Sequence, residues 1–451
     1  MLTWVKDKLG KDFTQLCSKL RSESSNRSRN AAKVFEWRQK LTTKGHYNVD
    51  PRQLSTAASR VIDSILQKGK IYEFRFFGLA DYLAEFNWNA NAGFPTFMKR
   101  KDLYLQTVAW IRSLIAGLFN YLSEALPTIM FRRTQFRNTE LKVRLVFGAP
   151  HLVTVLETLF FLPLKRFLFY KTSGYVTGVV QKDISRKISS ARARFKHCYD
   201  FKAFDLTLPH FVVRIVFEIL FNILDLRDGS YIGKLFRYCE NWFIESGVYL
   251  PIYGLTPRAR GVPSGSTFTN MVGSLSTLLI FHYVMCTLGK SPSEYELLVH
   301  GDDVVLLSDC RLEDEIVRKT VSRAFDMLIK ETTGLVFPPG VDECHFLGSH
   351  WKDGKPYRHV DDMLLSCIMW SGNFPMGMST YNALSSRFIS VLGYHCEAEE
   401  ILHKLGISIP RRYFMYGDAG YSAFHDKVRR SKDRRGLFVS VTKGARLWET
   451  R

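Results

Sequence analysis

Apolar positions change their period several times along this chain. Near the start, Leu2, Val5, Leu9, Phe13, Leu16 and Leu20 recur at helical spacing with Lys6, Lys8 and Lys11 between them. That spacing predicts a basic amphipathic helix packed on its own protein. RSESSNRSRN follows as a polar linker. From Ala31 to about Lys142 the pattern is mainly helical, broken by the loop NWNANAGFPT, and a further long helix is expected from Pro150 to about Tyr170. The centre then changes character. Phe195 to Phe201 reads as a strand, and Pro209 opens the apolar helical run HFVVRIVFEILFNIL, proline being suited to the first turn. YELLVH and VVLLSD flank Gly301-Asp302-Asp303, which predicts a hairpin turning at the two aspartates.

One segment mimics a membrane span. Met271 to Gly289 carries no formal charge and would just cross a bilayer. Yet it follows directly on a Ser/Gly/Thr/Asn run, and Gly273, Ser274, Ser276 and Thr277 give it a small-residue face. We expect a closely packed core helix and no integral membrane segment.

Composition narrows the class. At 46% hydrophobic, with 34 Phe and 20 Tyr in 451 residues, the chain can fill a large core and is not a mostly disordered protein. That length suggests two or three subdomains. A net charge of +20 points to a polyanionic partner, with RNA or DNA the plain choice. The eight cysteines are scattered, with no Cys-x-x-Cys pair and no zinc-like spacing, and read as reduced thiols of a cytosolic protein. MLTWVKDKLGKDF lacks the unbroken apolar region of a signal peptide. The C-terminal DKVRRSKDRRG reads as a solvated tail or an RNA contact.

Four short stretches carry candidate chemistry. YDFKAFD, residues 199–205, puts Asp200 at a strand end and Asp205 on the turn into the next helix; alone, such a pair reads equally as a cap or a surface feature. GVPSGSTFTN, residues 261–270, combines a flexible Ser-Gly turn with exposed hydroxyls and amides, and places Asn270 about one turn into the helix that follows. HGDD, residues 300–303, sets two adjacent acids between strongly apolar strands. Bringing them near a further acid is costly without a cation between them, although an exposed turn would also carry Asp-Asp. In LKVRLVFGAP, residues 141–150, Lys142 and Arg144 alternate with apolar positions and so share one face of an extended segment. Fixed cations of that kind suit a triphosphate.

In this order the four stretches resemble the motifs of viral RNA-dependent RNA polymerases. LKVRLV is similar to the fingers motif that grips the incoming nucleotide. YDFKAFD and GVPSGSTFTN are similar to the first two palm motifs, and HGDD to the Gly-Asp-Asp catalytic turn. HFLG, residues 345–348, resembles the hairpin that contacts the primer strand, and NANAGFPT, residues 89–96, the loop that admits the template. GAPHLVTVLETLFFLPL with GVPSGSTFTN looks most like the partitivirus and picobirnavirus type of double-stranded RNA virus polymerase. Reverse transcriptases share the palm, but usually carry an aromatic residue in place of Asp205 and an aromatic-x-Asp-Asp turn.

The resemblance implies an α+β fold, a closed right hand of fingers, palm and thumb with an antiparallel palm sheet flanked by helices. It divides the chain into an N-terminal helix and linker (1–30), mainly fingers (31–195), palm with a fingers insertion (196–348), and thumb with a basic C-terminal segment (349–451). Asp200 and Asp302, with Asp303 assisting and the Phe201 carbonyl contributing, would hold two Mg²⁺ ions, with Mn²⁺ able to substitute. Lys142 and Arg144 would grip the triphosphate. Asp205 and Asn270, with Ser264 and Thr269, would check the ribose 2′-OH. Asn91, Gly93, Arg132, Arg133, Arg137, Ser264 and Gly265 would line the RNA path. The implied partners are template and product RNA, NTPs and a viral capsid protein, in the host cytoplasm within virions or replication particles. Two departures stand out. Asp342 and Glu343 occupy the loop where relatives carry a lysine that protonates pyrophosphate, so the general acid is unassigned, with Lys330, expected at the end of a helix, a candidate substitute; and Val304 follows Gly-Asp-Asp, where partitivirus-like relatives often have Ser.

Overall fold

The computed structural model describes residues 27–66, 74–118, 126–137, 140–171, 181–191, 193–331, 334–352 and 355–357, and for residues 132–145 its description extends to the backbone only. The amphipathic stretch at Leu2–Leu20 and, beyond Tyr357, the rest of the segment assigned to the thumb with the basic C-terminal stretch lie outside the described residues. In chain order the helices are α1 (Arg27–Thr42), α2 (Pro51–Leu66), α3 (Leu79–Glu85), α4 (Tyr104–Ile115), α5 (His151–Lys171), α6 (Gln181–Ser190), the single turn α7 (Phe204–Thr207), α8 (His210–Ile223), α9 (Tyr231–Glu245), α10 (Thr269–Thr287) and α11 (Asp314–Phe325). The strands are β1 (Thr128–Arg137), β2 (Glu140–Gly148), β3 (Phe195–Lys202), β4 (Val248–Leu250), β5 (Gly254–Thr256), β6 (Tyr295–His300), β7 (Asp303–Ser308), β8 (Leu328–Ile329), β9 (Leu335–Phe337), β10 (Glu343–Phe346), β11 (Ser349–Lys352) and β12 (Lys355–Tyr357). The fold class is α+β.

The central sheet runs β6-β7-β3-β8, with β9 pairing the first half of β3 on the same side as β8. All of its pairings are antiparallel. Helix α10 crosses this sheet and is buried on every face from Met271 to Met285. A helix apolar all round finds its stable place inside a core, and that explains the bilayer-length segment: it passes a membrane test by length and apolarity while most of it is buried inside the protein. Aromatic edge-to-face contacts knit the core, among them Phe217 with Phe236, Phe243 and Phe268. Such pairs add about 0.5–1.5 kcal/mol each beyond their buried area. Cys198, Cys239 and Cys344 are buried free thiols.

The expected helical character of residues 31–142 needs correction at its end. Residues 128–137 form β1, which pairs antiparallel with β2 from Ile129↔Gly148 to Arg137↔Glu140 and meets β4 in parallel. TIMFRRTQFR is rich in β-branched and aromatic residues, and a long-range partner settles its state where local periodicity does not.

Candidate active site

Three carboxylates converge at one end of the central sheet because the strand register brings them there. Asp200 on β3 faces Asp303 on β7 as a cross-strand pair, and His300 on β6 faces Asp303 from the other side. The reversal between β6 and β7 takes only Gly301 and Asp302, so Asp303 belongs to the strand and Asp302 alone of the two acids sits in the turn. Gly301 has φ +64° while Asp302 does not share a positive value. That is the type II′ arrangement, in which glycine fills the first turn position.

Like charges at this end act on Asp302. Burial, then Asp200, Asp303 and Asp205, push its carboxyl up from 3.8 to about 7. Lys330 offsets part of this charge, since its ammonium is hydrogen-bonded to the Asp200 carboxylate. Its own backbone N–H donates to the Asp200 carbonyl at 2.9 Å. The sequence reading put Lys330 at the end of a helix, and the structure corrects this. Helix α11 stops where Asp326 takes a left-handed conformation (φ 50°), and the chain returns beside β3 as β8, delivering the lysine to Asp200.

Among the described residues no three His, Cys, Asp or Glu side chains form a closed metal cage. An open pair of carboxylates with a third beside them fits a hard divalent cation that keeps water and substrate phosphate among its ligands. The Asp302 carboxyl is raised first by burial and then by its three acidic neighbours, and a cation among them would relieve the second cause. Phe201 lies one residue beyond Asp200, paired with Ile329, and its side chain is buried against Phe204 and Phe281.

Helix α10 holds the turn from behind. Ser274 Oγ accepts the Gly301 N–H at 2.7 Å, and Thr277 Oγ1 donates to the Gly301 carbonyl at 2.7 Å. Asn270 Nδ2 lies 3.2 Å from His300 Nε2. These positions sit on one helix face, and Gly273 between them packs on Phe204. The small-residue face is thus a cradle for the Gly-Asp turn. Sequence reasoning missed the roles of Ser274, Thr277 and His300, for which the only signal was that unexplained stripe. Asn270 is the second residue of α10 rather than a turn into it.

The 261–270 loop is built against the end of β2. Phe147 N–H donates to Ser264 Oγ at 3.0 Å, and a Cβ at Gly265 would overlap the Phe147 carbonyl. Thr269 Oγ1 donates within the loop, to Pro263 O at 2.7 Å and Ser266 O at 3.0 Å, so its proton is committed there. Asp205 is exposed in α7, and its carbonyl accepts the Val262 N–H at 2.8 Å.

The 89–100 loop packs on the start of α5. Ala92 O accepts the His151 N–H at 2.8 Å. Asn91 organises the turn, its Oδ1 accepting from Gly93 N and its Nδ2 donating to Phe97 O, both at 2.8 Å. The backbones of Arg132, Arg133, Arg137, Lys142 and Arg144 lie in the β1–β2 hairpin, with Arg133 opposite Arg144; their side chains lie outside the described part. HFLG forms the β10–β11 hairpin, turning at Leu347 and Gly348 with φ 56° and 65°.

Both the sequence and the fold have counterparts among known proteins. The profile of the family described as viral RNA-dependent RNA polymerase matches residues 71–375. The chain is 24% identical over 168 residues to an RNA-directed RNA polymerase of Cryptosporidium parvum virus 1, covering 36% of this chain but only 31% of that relative's length. The fold superposes on the crystal structure of the RNA-dependent RNA polymerase of a human picobirnavirus with a TM-score of 0.67, at 17% identity, over 96% of this chain and 92% of the other. An insertion-loop deletion mutant of that polymerase matches equally well, with a TM-score of 0.67 at 18% identity over 98% and 90% of the two chains.

Proposed function

Since the chain belongs to the viral RNA-dependent RNA polymerase family, we propose that it copies an RNA template into RNA from NTPs by two-metal nucleotidyl transfer, replicating and transcribing a double-stranded RNA virus genome. The observation that carries this reading is the register that sets Asp200 against Asp303 with Asp302 in the adjoining turn. Asp200 and Asp302 would hold the ions, Mg²⁺ or Mn²⁺, with Asp303 beside them and the Phe201 carbonyl contributing. Bound there, divalent cations supply charge neutralisation, favouring deprotonation of the primer 3′-hydroxyl and stabilising the leaving pyrophosphate.

The chain's own residues do the rest. Lys142 and Arg144 bind the triphosphate. Asp205 and Asn270 hydrogen-bond the ribose 2′-OH, so that a deoxy substrate leaves them unpaired; Asn270 is supported in this by its contact with His300. Ser264 and Thr269 shape the pocket by holding the loop. Lys330, bonded to Asp200, is the proton donor we assign to the leaving pyrophosphate. Asn91, Gly93, Ser264, Gly265, Arg132, Arg133 and Arg137 line the RNA path, where backbone contacts suffice because base pairing carries the sequence. The work takes place in the host cytoplasm, within virions or replication particles, and capsid protein added to the purified chain is expected to raise its activity.

Titrating Mn²⁺ into the protein tests the metal site directly. Binding weakened by about tenfold or more in Asp302→Asn supports it. Equal binding by wild type and variant would leave the family fold without its chemistry.

A further inference from the structure

Helix α5 carries a buried polar face that the chemistry above does not use. His151, Thr154 and Glu157 are each nearly or wholly inaccessible, and their spacing of three places them along one side of the helix. Each makes a contact with a different part of the site. His151 N donates to Ala92 O in the 89–100 loop, while its Nε2 lies 2.9 Å from Thr107 Oγ1. Thr154 Oγ1 accepts from Arg100 Nη2 at 3.3 Å. Glu157 reaches the other loop: Oε1 accepts from Ser266 Oγ at 2.6 Å and Oε2 from Thr267 N at 2.7 Å. Ser266 Oγ in turn accepts the Phe268 N–H at 3.0 Å.

A fully buried acid is an expensive way to fill space, and Leu156, Leu159 and Phe160 beside it show what this core otherwise uses. Burial pushes the Glu157 carboxyl from 4.5 up to about 7, against the opposing pull of Ser266, Thr267 and Arg100. Two acceptor oxygens are what the turn requires, because the Ser266 hydroxyl and the Thr267 amide are both donors aimed into the core.

We propose that Glu157 is a positioning residue: it fixes the 261–270 loop, and with it Asn270, against the 89–100 loop through the polar face of α5. The inference rests on the polymerase reading for its consequence, since this loop shapes the ribose pocket, but not for its geometry. In that role Glu157 touches neither substrate nor metal. It sets the distance between the loop proposed to admit the template and the loop proposed to check the sugar.

The test compares wild type, Glu157→Gln, Ser266→Ala and the double variant. Glutamine keeps the side-chain volume and surrenders one acceptor, so folding is expected to survive. Hydrogen–deuterium exchange should speed up across 264–270 by about tenfold or more in each single variant, the scale of one lost charged hydrogen bond, with β6 and β7 unchanged. The double variant should fall short of the sum of the two single effects, because both remove the Glu157–Ser266 bond while only Ser266→Ala also removes the acceptor of the Phe268 N–H. With activity corrected to the active fraction, KM for NTP should rise several-fold and preference for NTP over dNTP should fall. Unchanged exchange across the loop overturns the inference, as does a loss confined to active fraction with KM and sugar preference intact. Should wild type fail to polymerise, the polymerase reading falls while the exchange data still decide the role of Glu157.

Discussion

Asp302 takes its chemistry from its surroundings. Its carboxyl sits near pH 7 in the folded protein, above the ordinary 3.8, so folding favours its protonated form. The stabilisation from that acid is complete below the ordinary value and is lost as pH rises through about 7. Above that point the ionised turn faces Asp200, Asp303 and Asp205, and a divalent cation bound there would relieve the repulsion. Mg²⁺ or Mn²⁺ should therefore raise the melting temperature more at pH 8 than at pH 6, a difference that Asp302→Asn abolishes; calorimetry at the two pH values checks it. Glu157 shares the direction of shift but makes its contacts with Ser266 and Thr267, so its contribution should not depend on the metal. Asp205 is proposed for a separate task, the sugar check. Asp205→Ala should lower the preference for NTP over dNTP by about tenfold or more, measured as the ratio of kcat/KM values; an unchanged ratio would remove that residue from the sugar check.

At the level of elements, α10 is a scaffold for the Gly301-Asp302 turn rather than only core filler. Ser274→Ala leaves the Gly301 amide without its acceptor, a loss of about 1–3 kcal/mol. We expect a lower melting temperature and a kcat reduced about tenfold, with KM for NTP little changed, in steady-state incorporation. The sequence already displayed the hairpin at 295–308 with Asp302 in its turn, because apolar strands flanking a glycine turn have few alternatives, and the register then sets Asp200 against Asp303. It did not reveal what the Ser274–Thr277 face would touch, since small residues announce close approach without naming a partner. Nor did it place Lys330, because the stop of α11 at Asp326 depends on a backbone conformation that the helical pattern runs through. Strand β1 departs from the helical expectation for a related reason, while the extended reading of 141–150 holds in β2: the nine-residue antiparallel register of β1 is made with a partner strand, and local periodicity carries no information about it.

On the scale of the whole molecule, a core of aromatic and aliphatic side chains joins the central sheet to α5, α8, α9 and α10. The 261–270 loop links the β2 end to that core through Ser264 and Glu157. Charge belongs to this scale too. A net +20 predicts RNA affinity that falls steeply with salt, log K against log salt having a slope of about −0.7 per phosphate contacted on a single strand. Filter binding between 50 and 200 mM salt should show a loss of about tenfold or more; affinity independent of salt would deny the basic surface its role.

The most direct measurement is incorporation of labelled NTPs on a single-stranded RNA template with Mg²⁺ or Mn²⁺, comparing wild type with Asp302→Asn and running dNTPs in parallel. The account predicts template-dependent incorporation of NTPs by wild type, reduced about a thousandfold or more in the variant, the scale of several kcal/mol of transition-state stabilisation, with little incorporation of dNTPs. Incorporation that survives in Asp302→Asn, or that prefers dNTPs, would contradict it.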